Sequence, residues 1–383
     1  MGIEETFRSL SAPNLGAFRH IIASFAEDHP KLAIGGSLLL AYTILCRALR
    51  YQRVRRMHSK HVYRTREDMA HMTTEEAFEI QRNLMHCEFP FTMTKALQFA
   101  LFRTYGIPTI SKLLVQTKQL SDTRYAPRRY TDTEVLIQDF IGNAPDSERA
   151  NAAIARMNYL HSLYRNSGKI SNDDMLYTLA LFALEPRNWA NRYEWRKLDA
   201  LEICAIGTFW KSIGDAMDIS YEALPGSKDG WKDGIQWFEE IESWSDAYEK
   251  RYMVPHEDNK KTADETTAML LYDAPKSLHP AGFRVVSALM DDRLRKAMMS
   301  LLTPLPRYVE ASFSNRWALK SWFKWMIGKP YPGSPGFKSE GYVLEEVGPK
   351  NLEGKGLEYF TQTKERLLRQ SRGGCPFAAV TKR

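Results

Sequence analysis

Cysteine is scarce: the 383 residues contain four (Cys46, Cys87, Cys204 and Cys375), and no two form a CxxC pair. That excludes a disulfide scaffold and a cysteine-rich zinc module, and it suits reduced thiols in a cytosol-facing protein. Glycine and proline, at 22 and 18 residues, are too sparse for a collagen-like or disordered chain. No GxGxxG opens a helix, and there is neither a Walker A loop nor a GxSxG elbow. Asp291-Asp292 begins a terpene-cyclase-like acidic pair, but Arg295 stands where a third acid is needed. Cys375, in GGCPF, sits in a polar stretch with no helix to support a thiolate ligand. No segment alternates apolar and polar residues as a strand would, and no internal repeat is present. An all-α fold remains.

Acid is absent from one place in particular. From Arg47 to Arg66 eight basic residues (Arg47, Arg50, Arg53, Arg55, Arg56, Lys60, Arg64, Arg66) precede any Asp or Glu, and they account for the net charge of +7. An excess confined to one segment argues against a nucleic-acid face. It follows the most apolar run of the chain, LAIGGSLLLAYTIL, 14 residues from Leu32 to Leu45. Snorkelling by Lys31 and Arg47, with Leu49 beyond, extends the run to about 18 residues, long enough to span. A cleaved signal peptide would begin with a short basic stretch, whereas roughly 30 mixed residues come first here. The positive-inside rule then predicts a lumenal tail (1–31), a single transmembrane anchor (32–49) and a cytosolic remainder.

Past a basic juxtamembrane segment (50–72), helical spacing extends over 73–305. Thr73-Thr74-Glu75-Glu76 has the spacing of a capping box. Gly106 and Pro108 break one helix from the next, Asp146 or Ser147 caps another, and Pro186 is expected to close the helix begun by Asn172. Over 306–330, Trp317, Trp322, Phe323 and Trp325 interleave with Arg316, Lys320, Lys324 and Lys329. This reads either as an amphipathic helix in the lipid headgroup region or as a core helix with one solvated face. Residues 331–383 read as a polar, loosely packed tail.

Two constellations carry possible chemistry. His161 shares a helical face with Ala150, Ile154, Met157 and Tyr164. Such a histidine is either a hydrogen-bonded core residue or the axial ligand of a haem, for which the two alanines at 150 and 153 would leave room. Arg129 and Thr133 lie four residues apart, with Asp132 between them. If the helix has already begun, a guanidinium and a hydroxyl face one way, fit to orient dioxygen or hold a propionate, with Asp132 as a base. Otherwise Thr131 or Asp132 caps the helix and the arginines are solvated.

The blocks MTTEEAF, ALFRTYGIPTISKLL, RRYTDTEVLI, RMNYLHSLYR, MLYTLALFALEP, LEICAIGTFWKSIGDAM and MDDRLRKAMM resemble the fungal ER-bound oxygenases of mycophenolic acid biosynthesis, the mpaB family. The likeness runs from about residue 45 to 300, and the domain is more remotely similar to bacterial latex-clearing rubber oxygenases. The resemblance implies a globin-like or rubber-oxygenase-like helical domain that binds haem b, with molecular oxygen as co-substrate. It implies that His161, in Tyr159-Leu160-His161, is the iron ligand, and that Arg129 and Thr133 flank the haem. Asp132 stands where the rubber enzymes have a lysine. It further implies an ER-membrane protein that cleaves a carbon–carbon double bond in the prenyl side chain of a hydrophobic substrate, whose channel the FPFTM and ALFRTYGIP segments would line. Its partners would be membrane lipids and that substrate, without nucleic acid. The competing class is a non-catalytic, membrane-tethered scaffold or lipid carrier.

Overall fold

The computed structural model describes residues 27–117, 126–271, 275–300 and 343–377. Residues 1–26 of the tail expected to be lumenal and the tryptophan-rich segment at 306–330 lie outside the described residues. The chain divides into two compact units, residues 1–62 and 63–383. In the first, α1 (Pro30–Arg50) starts with proline at its first turn and is followed by α2 (Gln52–Lys60). Leu32, Ile34, Leu38, Leu39, Leu40, Ile44 and Leu45 are all exposed on α1, which is long and apolar enough to cross a membrane.

The second unit is helical throughout its described residues, with no strand. Its main elements are α3 (Thr74–Asn83), α4 (Pro90–Thr104), α5 (Pro108–Gln116), α6 (Ala126–Gly142), α7 (Glu148–Arg165), α8 (Asn172–Tyr193), α9 (Ala200–Ala216), α10 (Gly234–Tyr252), α11 (Glu257–Leu270), α12 (His279–Leu289), α13 (Asp292–Ala297) and α14 (Leu357–Arg369). Side-chain caps set many of the starts. Thr73 and Glu76 form the capping box of α3, while Ser147, Ser171, Asp199 and Asp233 cap α7 to α10.

The packing follows from the apolar faces. α8 lies along α4, and α9 is sandwiched between α3 and α10. Where α9 crosses α10 the backbones touch: a Cβ on Gly207 would lie 2.1 Å from the Gly234 carbonyl oxygen. Only glycine permits that approach. Phe209, Trp210, Trp237 and Phe238 are almost completely buried around the crossing. Each phenylalanine there contributes about 1.5–3 kcal/mol of burial. The acidic pair is structural as well. Asp291 caps α13, accepting from the Leu294 N–H, and takes Arg103 Nη1 at 2.5 Å, while Arg103 Nε and Nη2 each donate to Glu249 at 2.7 Å.

Two sequence expectations are corrected. Pro186 does not close its helix: α8 continues to Tyr193 with the proline inside it. Burial of Phe182 and Leu184 before it, and of Ala190 with the Trp189–Phe99 ring contact after it, outweighs the roughly 3 kcal/mol that an internal proline costs. Nor are residues 343–377 a loose tail. α14 packs along α7, burying Phe360 and Leu367, and Gly373 and Gly374 carbonyls accept from the N–H groups of Glu75 and Thr74. Arg372 is buried against Pro145 O, Asn151 Oδ1 and Ser212 Oγ.

Candidate active site

α6 and α7 are consecutive, packed helices joined across residues 143–147. In such a hairpin, residues equally far from the midpoint face one another. Arg129 and His161 are each sixteen residues from position 145, so the connection alone brings them to one level. The helix has begun by Ala126, which places Arg129 and Thr133 on one turn-spaced face and rules out Thr131 or Asp132 as its cap.

That face opens onto a cavity of about 200 Å³ enclosed by α4 to α9 and by part of the C-terminal segment. His161, Arg129 and Thr133 all line it. Its surface is mainly apolar, with Phe140, Phe182 and Trp210 clustered in its wall. Phe182 stacks on Trp210 at 5.4 Å, and Phe140 meets the same indole edge-on at 6.4 Å. His161 is half-buried at the cavity wall, and its Nδ1 is buried without a hydrogen-bond partner. Burial, then the charges of Arg129 and Arg165, depress its pKa from 6.5 to about 4, so the ring is neutral at physiological pH. Arg129 Nη1 donates to Thr133 Oγ1 at 2.8 Å, and that hydroxyl donates to the Arg129 carbonyl at 2.9 Å. Burial lowers the Arg129 pKa against the opposing pull of Asp132.

Asp132 is not brought together with the other three. It is buried outside the cavity wall, 3.7 Å from Arg128 Nε, and Arg128 also reaches Glu353 at 3.0 Å. Its position suits a counter-charge behind Arg129 better than a base acting in the cavity.

No protein-family model matches the sequence. Over 88% of its length the chain is 44% identical to the ER-bound oxygenase mpaB′ of Penicillium brevicompactum, covering 93% of that protein. It is 51% identical to the ER-bound oxygenase mpaB of Penicillium roqueforti (strain FM164), over 76% of this chain and 96% of the relative. To the ER-bound oxygenase mpaB of Penicillium brevicompactum the figure is 46%, over 84% and 89% respectively. The chain belongs to the mpaB family of ER-bound oxygenases.

For an mpaB-family chain the donor set is informative. Among the described residues, no three His, Cys, Asp or Glu side chains gather as a metal site. A porphyrin would bring most of a metal's ligands itself and leave a coordination position for the protein. A neutral imidazole with no hydrogen bond at Nδ1, bordering an apolar void, fits that position, and a half-buried guanidinium fits the anionic edge of such a group. Of the segments expected to line a channel, ALFRTYGIP contributes Leu101, Thr104 and Tyr105, whereas FPFTM stays out of this wall. Pro349 and Leu352, from the C-terminal segment, complete it. No local pattern in the sequence marks those two residues.

The neutral histidine has a consequence for the apoprotein. In the unfolded chain His161 takes up a proton below about 6.5, but in the folded chain only below about 4. Stability should therefore fall as pH drops through that window, by about 3 kcal/mol in total from this group. His161→Leu should flatten this part of the pH profile of chemical denaturation. An unchanged slope would contradict the neutral assignment.

Proposed function

We propose that this protein is a haem b-dependent oxygenase that cleaves a carbon–carbon double bond in the prenyl side chain of a secondary-metabolite intermediate, as in mycophenolic acid or a related meroterpenoid. The observation that carries the reading is the neutral His161, with no partner at Nδ1, on an apolar cavity that the half-buried Arg129 also lines. His161 would hold the haem through a ring nitrogen, and Arg129 with Thr133 would flank it. Haem b supplies the chemistry that activates dioxygen.

The chain's own residues do the rest. Apolar walls and the aromatic cluster of Phe140, Phe182 and Trp210 take the prenyl chain out of water and hold its double bond still. Arg129 offers N–H donors toward oxygen that gains negative charge as the reaction proceeds, and the Thr133 hydroxyl, which accepts from Nη1, holds the guanidinium in position. Overall, one alkene and one dioxygen yield two carbonyl fragments, with no other reductant in the balance. A greasy substrate dissolved in the ER bilayer suits an enzyme tethered by α1 with its catalytic unit in the cytosol.

Turnover of a prenylated phenol under ¹⁸O₂ tests this. Each carbonyl product should carry one labelled oxygen when exchange with water is suppressed. Thr133→Val should lower kcat by about tenfold to a hundredfold while leaving the haem absorption in place. Unlabelled products, or turnover by haem-free protein, would refute the reading.

A further inference from the structure

A second void, of about 10 Å³, lies behind the wall of the first and has room for about one water-sized sphere. Most of its lining is apolar: Met93 and Leu97 of α4, Pro186 of α8, Ile206 of α9 and residues linking α3 to α4. Gln81 adds a single polar side chain. Among the described residues, Trp210 alone borders both voids.

Two packed helices pass from one void to the other. On α8, Phe182 lines the large cavity, and Pro186, one turn later on the same side, lines the small one. On α9, Ile213 lines the large cavity and Ile206 the small one, with Trp210 between them at helical spacing. The indole lies against the Phe182 ring at 5.4 Å, with 17° between the planes. Phe140 and Phe209 meet it edge-on at 6.4 and 5.7 Å. At 2% exposure, close packing on these three rings fixes it in place. A smaller side chain at this position would therefore join the two spaces.

We propose that Trp210 divides the two voids and is the stop that limits how far an apolar chain reaches, so that it sets the chain length the protein accepts. The proposal rests on the reading of the cavity as the site of a prenyl chain. Where such a chain is stopped decides which of its double bonds is held for cleavage.

The test titrates full-length wild type, Trp210→Leu and Trp210→Phe, all in one detergent, with primary n-alkanols from octanol to hexadecanol. Partitioning into the micelle is common to the three proteins and cancels in the ratio of variant to wild-type affinity. For alcohols that fit the wild-type cavity this ratio should be constant. Past that length it should climb by about fourfold per added carbon, reaching a longer limit in Trp210→Leu than in Trp210→Phe. Adding Ile206→Phe to Trp210→Leu refills the second void and should make the ratio constant again. A ratio independent of chain length in both variants overturns the proposal, and Trp210→Phe decides alone if Trp210→Leu does not fold. So does a climb that survives Ile206→Phe. Wild type that binds no alkanol removes the prenyl-chain reading and this proposal with it, whereas firm binding with a constant ratio removes this proposal alone. A climbing ratio in protein that takes up no haem leaves the stop standing and refutes haem dependence.

Discussion

His161→Ala is expected to emerge from purification folded and membrane-bound, but without the Soret absorption that wild-type protein carries after haem loading. The expectation follows from what the ring does and does not touch. Its Nδ1 makes no hydrogen bond, so its removal strands no partner, and the void it borders is only enlarged. The usual penalties for changing a buried polar residue are therefore small here, and the unfolding midpoint should stay within a few degrees. The single protein ligand to the iron, by contrast, would be gone. Imidazole added at millimolar concentration should enter the vacated space and restore part of the band, which a merely collapsed pocket would not allow. A wild-type protein with no band after loading, or a variant whose band is unchanged, removes His161 as the ligand.

The parts of this site legible in the sequence are those fixed by local geometry. Thr73 and Glu76 announce the start of α3, and Ser147 that of α7, because a cap needs only a side chain and an N–H three residues on. The pairing of Arg129 with His161 also follows from local facts, since a short link between two helices sets which residues share a level. What escaped is long-range. α11 has no apolar stripe to betray it: the side it buries carries Asn259, Thr262, Thr266 and Thr267, and Asn259 Nδ2 donates to the carbonyls of Gly106, Val254 and Ala297. Likewise the reading of His161 on a single apolar face understates its helix. From Ala150 to Leu160 α7 is buried on every side, because α14, far along the chain, covers what a two-helix view leaves open.

The residue that fastens that distant segment should be among the most sensitive in the catalytic unit. Arg156 is completely buried, lies 5.2 Å from the Tyr159 ring centre, and makes no ion pair among the described residues. It donates instead to the carbonyls of Val347 at 2.8 Å, Lys355 at 2.8 Å and Leu352 at 2.9 Å. Just past them the backbone turns through Gly356, at φ 74°, where any Cβ would meet the Tyr159 ring at 2.0 Å. Arg156→Met keeps the length and packing of the side chain but leaves the Val347 and Lys355 carbonyls without donors among the described residues, and leaves Leu352 only the Lys355 N–H. At roughly 1–3 kcal/mol per stranded group, offset where the strap rehydrates, the loss should be about 3–5 kcal/mol. In thermal unfolding that is a fall of about 6–12 °C. Arg156→Lys should not rescue it, because an ammonium cannot span three acceptors held in a fork's geometry. Since Leu352 and Pro349 form part of the cavity wall, the same variant should also become sensitive to protease at 347–356 and bind apolar ligand more weakly. Native-like unfolding with a newly cut strap would mean that Arg156 positions the wall without stabilising the fold. Native-like unfolding with an intact strap would mean that these three bonds contribute little, and that α14 holds itself against α7 by its apolar face alone.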